Sequence, residues 1–209
     1  PYVRILTQKE IDSRIKRFWR YLDRTLPDAF MHANIGPADT PVARAILRAD
    51  AELKQVTPNL TFIYDPGITP QDLLLSVAKN ICECSKPHVS NGPVNDKIFT
   101  KGRYGVVSCY NSLPLAGGGS TLVRLNLKAI AEHSESIEDF FTRTLPYYCQ
   151  QQIAIIDARC TFLYEKSAFF ENSFLVSEGL IDADRFVPMF GMYGLAEAVN
   201  TLCEKEGLA

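Results

Sequence analysis

Apolar positions recur at helical spacing in several segments of the chain. The first such segment ends before Pro27, and one of its faces is formed by Ile11, Ile15, Phe18, Trp19 and Leu22. Further helices are predicted from Thr40–Pro41 to about residue 55, from Thr69–Pro70 through Ile81, over 137–165 after a Ser136–Asp139 capping box, and over 195–206. The chain is therefore predicted to contain at least these five helices.

Short apolar runs, many of them β-branched, lie between the predicted helices. They predict strands at 29–36, 60–65, 103–110, 120–127 and 185–195. The segment 87–103 contains several Pro, Gly and Asn residues, which predicts a loop, and LPLAGGG (113–119) predicts a tight turn. Strands that alternate with helices indicate an α/β fold, either layered or closed into a barrel.

The pattern shows no internal repeat and no linker. We therefore expect residues 1–209 to form a single unit, with the helix in 1–27 as its most separable part and 28–209 as one body of strands and helices. The chain starts at Pro1 and stops just after a predicted helix, which would leave sheet edges uncovered. These features predict a fragment of a larger protein.

Composition and charge exclude several classes of function. Hydrophobic residues make up 46% of the 209 positions and the net charge is -2, so a chain with no basic surplus is not expected to bind nucleic acid. No apolar run approaches the about 18 residues of a membrane-spanning helix. Five of the six cysteines fall in predicted amphipathic helices, as reduced cysteines of cytoplasmic proteins do: Cys82, Cys84, Cys149, Cys160 and Cys203.

The sixth cysteine lies in the most informative stretch, GVVSCYNSLPLAGGGSTLVRLNL (105–127). Cys109 ends an apolar strand, and a turn, three glycines and a second apolar strand follow it. We predict a hairpin-like finger with an unpaired Cys109 near its tip. Glycines allow close backbone approach, so the loop-forming residues are Gly117, Gly118 and Gly119.

This stretch resembles the active-site cysteine loop of glycyl radical enzymes, above all the anaerobic ribonucleotide reductase branch. Residues 59–96 are similar to the strand, helix and Asn-containing loop that precede that cysteine, and FVPMFGMYGLAEAVN (186–200) resembles a late Gly-Leu-x-Glu-Ala motif. Within the superfamily, which includes pyruvate formate-lyase, the chain is most similar to the YjjI-type enzymes. The resemblance covers most of residues 59–200.

The resemblance implies part of a ten-stranded α/β barrel with surrounding helices, and a thiyl radical at Cys109 that removes hydrogen from a small-molecule substrate. It further implies a glycyl radical elsewhere in the full-length protein, made by a radical S-adenosylmethionine activase, in a homodimeric anaerobic enzyme. No cofactor or metal is expected on this chain. Candidate substrate-binding residues are Asn91, Asn95, Asn111 and Glu197.

The chain departs from the family pattern in three places. Cys109 is followed by Tyr110 and Asn111, so the Cys-x-Glu of many dehydratases and decarboxylases is absent, and Ser108 replaces the second cysteine of pyruvate formate-lyase. No Arg-Val-x-Gly-Tyr-like glycyl radical motif occurs. The alternative function is therefore a non-catalytic structural or interaction domain that retains the barrel sequence.

Other interpretations of single residues stay open at the level of sequence. Cys109 could be a nucleophile or an inert buried thiol, although neither His88 nor His133 lies in a pattern that predicts an activating base. The run AGGGST (116–121) lacks the lysine and the following helix of a phosphate loop. The spacing Cys82-x-Cys84 favours core packing over metal binding, and His32 favours a core position in a strand.

Overall fold

The computed structural model describes residues 5–25, 31–100, 103–107 and 110–208. Its internal contacts divide the chain into two compact units, Pro1–Leu115 and Ala116–Ala209. Both contain helices and strands, which agrees with the mixed α/β class expected from the sequence. The single continuous unit expected from the sequence stays a prediction for the intact protein.

The first unit contains a three-stranded parallel sheet in the order β1-β2-β3, and helices connect its strands. Its elements are α1 (Gln8–Thr25), β1 (His32–Ile35), α2 (Pro41–Leu53), β2 (Asn59–Tyr64), α3 (Gln71–Cys84), β3 (His88–Asn91), α4 (Gly92–Ile98), β4 (Tyr104–Val107) and β5 (Asn111–Pro114). In register, His32 of β1 faces Asn59 of β2, and Thr61 of β2 faces His88 of β3.

The core of this unit lies between the parallel sheet and the helices. Leu60 and Phe62 of the central strand are fully buried and pack with Leu73 and Val77 of α3. Trp19 of α1 is buried in the same cluster, so the N-terminal helix contributes directly to this core. Burying such side chains is worth about 1.5–3 kcal/mol each.

Local signals place the start of α2 correctly. The Thr40 hydroxyl accepts a hydrogen bond from the Ala43 N–H, and Pro41 occupies the first turn, where its missing N–H costs no helical hydrogen bond. The start of α3 differs from the expectation, because Pro70 occupies the N-cap position. The Thr69 hydroxyl instead donates to the Pro37 carbonyl.

The prediction of a loop over residues 87–103 is wrong for most of that segment. Residues His88–Asn91 form β3, whose backbone pairs with β2, and Gly92–Ile98 form α4. The Asn91 side chain caps α4, and Pro93 lies in its first turn. The same Gly and Pro residues that indicate a loop are thus the residues that begin a helix.

The hairpin around residues 103–127 also differs from its prediction. Strand β4 pairs antiparallel with β5, whose last two residues lie in the predicted turn 113–119, and not with the strand at 120–127. The Leu115 N–H donates to the Arg103 carbonyl, so hydrogen-bonded pairs alternate from 103/115 and leave Tyr104 and Pro114 in a non-hydrogen-bonded pair. Pro114 therefore fits in β5 although it has no N–H.

The second unit contains a two-stranded parallel sheet packed with helices. Its elements are β6 (Gly118–Asn126), α5 (Leu127–His133), α6 (Ile137–Asp139), α7 (Leu145–Thr161), α8 (Phe174–Ser177), β7 (Phe186–Tyr193) and α9 (Leu195–Lys205). Strands β6 and β7 pair in parallel. The core of this unit includes Leu127, Ile130, Phe140 and Leu202.

The long helix predicted over 137–165 is confirmed, with a feature that the sequence did not indicate. The Ser136 hydroxyl accepts from the Asp139 N–H, as the capping box predicted. Two π-helical stretches, Phe140–Thr144 and Phe162–Lys166, lie on either side of α7, so helical structure runs from 137 to 166. The final helix, predicted at 195–206, is confirmed at Leu195–Lys205.

The strands expected to surround one interior are all present but belong to different sheets. Strand β2 lies in the three-stranded sheet, β4 in the antiparallel pair, and β6 and β7 in the second unit. The described residues thus form three small sheets and no closed barrel. Within the same residues, no helix is long and apolar enough to cross a membrane.

Gly117 provides a test of the packing in the second unit. A Cβ atom at this position would lie 2.1 Å from the Arg185 carbonyl oxygen, which belongs to backbone and cannot rotate away. We expect Gly117→Ala to lower the free energy of unfolding by about 1–3 kcal/mol, measured by denaturant titration of the full-length protein. At Gly105 the nearest atom would lie at 3.7 Å, so Gly105→Ala is the matched control and should not destabilise. Equal losses in both variants would contradict the steric argument.

Candidate functional site

The candidate site is the connection between β4 and β5. Val107 and Asn111 are register partners in the antiparallel pair, and the three residues between them are Ser108, Cys109 and Tyr110. Ser108 and Cys109 lie outside the described residues. The site is therefore built from the residues on either side of them.

Asn34 of β1 binds the backbone of β4. Its side-chain amide donates to the Val106 carbonyl at 2.8 Å, and its side-chain oxygen accepts from the Val106 N–H at 3.0 Å. Val106 is fully buried, at 0% exposure. One side chain therefore satisfies both backbone groups of a buried residue three positions before Cys109.

Tyr110 lies between two histidines of the parallel sheet. Its ring centroid is 5.1 Å from that of His32, at 75°, and 5.0 Å from that of His88, at 46°. The His32 ring nitrogen Nε2 also lies 2.8 Å from the Thr61 hydroxyl. The residue that directly follows Cys109 is thus fixed to both β1 and β3.

The electrostatic surroundings favour uncharged rings beside the connection. Burial raises the pKa of the Tyr110 phenol, and the Asp50 carboxylate raises it further. Partial burial of its ring lowers the pKa of His88, although the residue as a whole is exposed. At neutral pH a protonated phenol and a neutral imidazole provide no positive charge that would favour a thiolate at the next residue.

The four candidate substrate-binding residues occupy different places. Asn91 caps α4, and its side-chain oxygen accepts from the Val94 N–H at 3.1 Å. Asn95 is buried and donates to the Ser90 hydroxyl at 2.8 Å. Asn111 is half-buried at the start of β5, directly after Tyr110. Glu197 is exposed in the first turn of α9, in the second unit.

The glycine run lies against β7, and Gly118 and Gly119 belong to β6. Cβ atoms at these two positions would lie 2.8 Å from the Phe186 ring and 2.4 Å from the Met189 methyl group. The expected close approach is thus made by a neighbouring strand. Protein atoms thus fill the space that a side chain at Gly118 or Gly119 would need.

The remaining cysteines and histidines have structural positions. Cys82, Cys84, Cys149, Cys160 and Cys203 are free thiols, and Cys82 is exposed where a buried position was expected. Burial raises the pKa of Cys84, whose thiol contacts the Asp50 carboxylate. His133 contacts the Ala129 carbonyl through Nδ1 at 2.6 Å. Among the described residues, no three His, Cys, Asp or Glu side chains gather so that they could hold a metal ion.

Sequence reasoning missed the role of β1 in this site. His32 and Asn34 are two positions apart, so they lie on the same face of the strand. That spacing was visible in the sequence, but it did not indicate that Tyr110 and Val106 would pack against this face. A buried ion pair between Asp50 and Lys86 was also missed.

Comparison with known proteins assigns the chain to a family. The family model described as "Glycyl radical enzyme YjjI-like" matches residues 1–209. The chain belongs to this family. The family resemblance seen around Cys109 and at 186–200 is thereby confirmed, whereas the roles of individual residues stay predictions.

Two curated relatives cover nearly the whole chain. It is 86% identical over 209 residues to "Uncharacterized protein YjjI" of Escherichia coli (strain K12), covering 100% of this chain and 40% of that protein. It is 42% identical over 204 residues to an "Uncharacterized protein" of Haemophilus influenzae (strain ATCC 51907 / DSM 11121 / KW20 / Rd), covering 97% of this chain and 40% of that protein. The chain thus spans about 40% of the length of these relatives.

Proposed function

We propose that this chain is the segment of a cytoplasmic glycyl radical enzyme that supplies Cys109 as the hydrogen-atom abstractor. The observation behind the proposal is the β4–β5 hairpin, whose three-residue connection contains Cys109. The chain's family membership supplies the chemistry to which such a cysteine is suited. The substrate is a small molecule.

The reaction exchanges one hydrogen atom at a time. A glycyl radical elsewhere in the full-length protein takes hydrogen from the Cys109 S–H, which leaves a thiyl radical and a closed-shell glycine. The thiyl radical takes hydrogen from a substrate carbon, which regenerates the thiol. The product radical then takes a hydrogen back from the thiol, and the thiyl radical so formed takes hydrogen from the glycine, which restores both the thiol and the glycyl radical. A thiolate has no hydrogen atom to give, so the uncharged rings of Tyr110 and His88 suit this task.

The two parallel sheets are consistent with parts of one larger barrel in the intact protein. Strands β1-β2-β3 and β6–β7 are parallel and are connected by helices, as in closed α/β barrels. We infer that further strands of the full-length protein pair with these sheets to complete the ten-stranded barrel. Such an enclosure would shield a radical from water and oxygen.

Among the candidate substrate-binding residues, Asn111 has the strongest case. It directly follows Tyr110 and pairs with Val107, so it is next to the cysteine connection. Asn91 and Asn95 already bond within β3 and α4, and in this proposal they shape the neighbouring backbone. Glu197 is kept as a substrate contact only through its place in the Gly-Leu-x-Glu-Ala motif.

The full-length protein and a radical S-adenosylmethionine activase provide a test that needs no substrate. After anaerobic activation, spin resonance should detect a glycyl radical whose signal is split in two by its one α-hydrogen. In D2O the Cys109 thiol becomes S–D and donates deuterium to the glycyl radical, which leaves a thiyl radical at Cys109. This thiyl radical then abstracts hydrogen from the same carbon, so that the glycyl radical carries deuterium. We expect the doublet to collapse, because deuterium couples much more weakly to the unpaired electron. Failure to form any radical would support a non-catalytic domain.

The 209-residue chain alone should have no activity, since a thiol without a radical source cannot begin the cycle. The measurement compares the isolated chain in air with the activated full-length protein, in assays against candidate small molecules. Turnover by the isolated chain would contradict the radical proposal and favour a nucleophilic cysteine.

A further inference from the structure

The Asn34 side chain, on β1, forms hydrogen bonds with the backbone of another strand, β4. Alternation of the hydrogen-bonded pairs from 103/115 puts Val106 and Ser112 in a non-hydrogen-bonded pair. The N–H and C=O groups of Val106 therefore point away from β5. The Asn34 side chain meets both groups, at 3.0 and 2.8 Å, and takes the place of a neighbouring strand for one residue.

The loss of this contact would not be neutral. Val106 is fully buried but Asn34 is exposed, so without the Asn34 amide the two Val106 backbone groups would bond to water that enters from this side, and water does not fix them to β1. The attachment of β4 to β1 at Val106 would then be lost, and the next described residue along β4 is Val107, which is followed directly by Ser108 and Cys109. A change at Asn34 is therefore transmitted along β4 towards the cysteine.

Tyr110 holds the other side of the connection. Its φ of 65° lies in the left-handed region, which costs a residue with a side chain about 1–2 kcal/mol. Backbone strain of this kind persists where the surroundings fix it. The rings of His32 and His88 on either side of Tyr110 supply that constraint.

Both attachments start from one face of β1. His32 reaches Tyr110 and Asn34 reaches Val106, so two residues of one strand hold the chain before and after Cys109. Hydrogen-atom transfer depends steeply on the distance between donor and acceptor, and a displacement of about 1 Å can cost about 100-fold in rate.

We infer that Asn34 is a positioning residue, which holds β4 so that the Cys109 thiol meets its hydrogen-atom partners. The inference rests on the proposed role of Cys109 and adds to it a residue 72 positions away in the sequence from the backbone that it binds. Asn34 itself exchanges no atom in this assignment.

The main test uses Asn34→Ala in the activated full-length protein. The glycyl radical should form to the wild-type amount, because activation acts on the glycine. Exchange of its α-hydrogen with D2O should slow by about ten-fold or more, because the thiol is displaced from the glycine. An exchange rate equal to wild type, in a variant with normal radical content, would overturn the inference.

A second measurement needs no radical. Iodoacetamide labelling of the unactivated protein, followed by mass spectrometry, gives a rate for each cysteine. In Asn34→Ala the labelling rate of Cys109 should rise by about ten-fold, because loss of the attachment of β4 lets the connection open to the reagent more often. The rate at exposed Cys82 of α3 should stay as in wild type and serves as the internal reference. An unchanged Cys109 rate would count against a positioning role.

Two further variants keep the test decisive. Asn34→Asp retains an acceptor for the Val106 N–H but loses the donor to its carbonyl, so it should be impaired in the same direction and replaces Asn34→Ala if that variant does not fold. Asn126→Ala removes one side-chain hydrogen bond, to the Ala129 N–H at 3.3 Å in the second unit, and should behave as wild type. Equal effects of Asn126→Ala and Asn34→Ala would show general loosening and overturn the inference.

The outcomes separate this inference from the proposed function. Labelling depends only on where the thiol lies, whereas radical exchange depends also on its chemistry. Altered labelling in Asn34→Ala, together with wild-type exchange in a Cys109→Ser protein, would keep Asn34 as a positioning residue and remove Cys109 from the radical pathway.

Discussion

Cys109→Ser in the full-length protein is expected to keep its glycyl radical and to lose all substrate turnover. The activase acts on the glycine directly, so the radical should form to the wild-type amount. The O–H bond of serine is much stronger than the S–H bond of cysteine. Hydrogen transfer from residue 109 to the glycyl radical therefore becomes strongly uphill, and no radical reaches the substrate.

The same substitution should leave the fold intact. Serine preserves the shape and hydrogen-bonding capacity of cysteine, so the stability change should be small beside the about 2–5 kcal/mol of a large core deletion. Radical content and the collapse of the doublet in D2O, both measured by spin resonance, are the readouts. Product formation can be added with any substrate that is found.

Each outcome of this experiment has one meaning. A stable radical with no exchange and no turnover places Cys109 between the glycine and the substrate. Turnover or exchange that continues in Cys109→Ser removes it from that role. Cys82→Ser is the matched control, because Cys82 is an exposed thiol on α3, and it should behave as wild type.

The starts of two helical segments of this protein follow from local patterns. Thr40 with Pro41, and Ser136 with Asp139, are capping signals made by neighbouring residues, and the predicted helix starts agree with the structure. Strand β3 could not be found in this way, because its hydrogen bonds go to β2, more than twenty residues away. Strand β5 was missed because Pro114 indicates a turn until its register partner is known.

In the candidate site too, features carried by neighbouring residues could be predicted, and contacts between distant residues could not. Cys109 was predicted from a continuous motif that also contains the glycine run 117–119, and its role stays a prediction. Asn34 was not, because its partner Val106 lies 72 positions away and no short pattern connects them. The contacts of the His32 and His88 rings with Tyr110 join three segments and could be found only from the fold.

Loss of the buried ion pair between Asp50 and Lys86 should lower the free energy of unfolding more than the other substitutions proposed above. Asp50 is fully buried and its Oδ1 lies 2.7 Å from the Lys86 Nζ, which also donates to the carbonyls of Gln55 and Pro58. The Asn80 amide donates to Asp50 Oδ2 at 3.3 Å. The carboxylate thus joins the end of α2 to α3 and to the residues that lead into β3.

Asp50→Ala should lower the free energy of unfolding by about 3–5 kcal/mol, because it leaves the Lys86 ammonium buried without its counter-charge. The measurement is denaturant unfolding of the full-length protein, followed by amide hydrogen exchange in peptides from α2, α3 and β3. Asp39→Ala is the matched control, since Asp39 pairs with Arg44 near the surface, and it should cost at most about 1 kcal/mol. Equal costs in the two variants would contradict the argument.

Replacement of both partners separates burial of a charge from loss of a contact. In Asp50→Leu with Lys86→Met both charges of this buried pair are removed, and apolar side chains of similar volume fill the space. Such replacements of buried pairs are often neutral or stabilising, so the double variant should recover most of the stability lost in Asp50→Ala. If the double variant is as unstable as Asp50→Ala, the specific hydrogen bonds to Asn80, Gln55 and Pro58, and not the uncompensated charge, hold α2 against the start of β3.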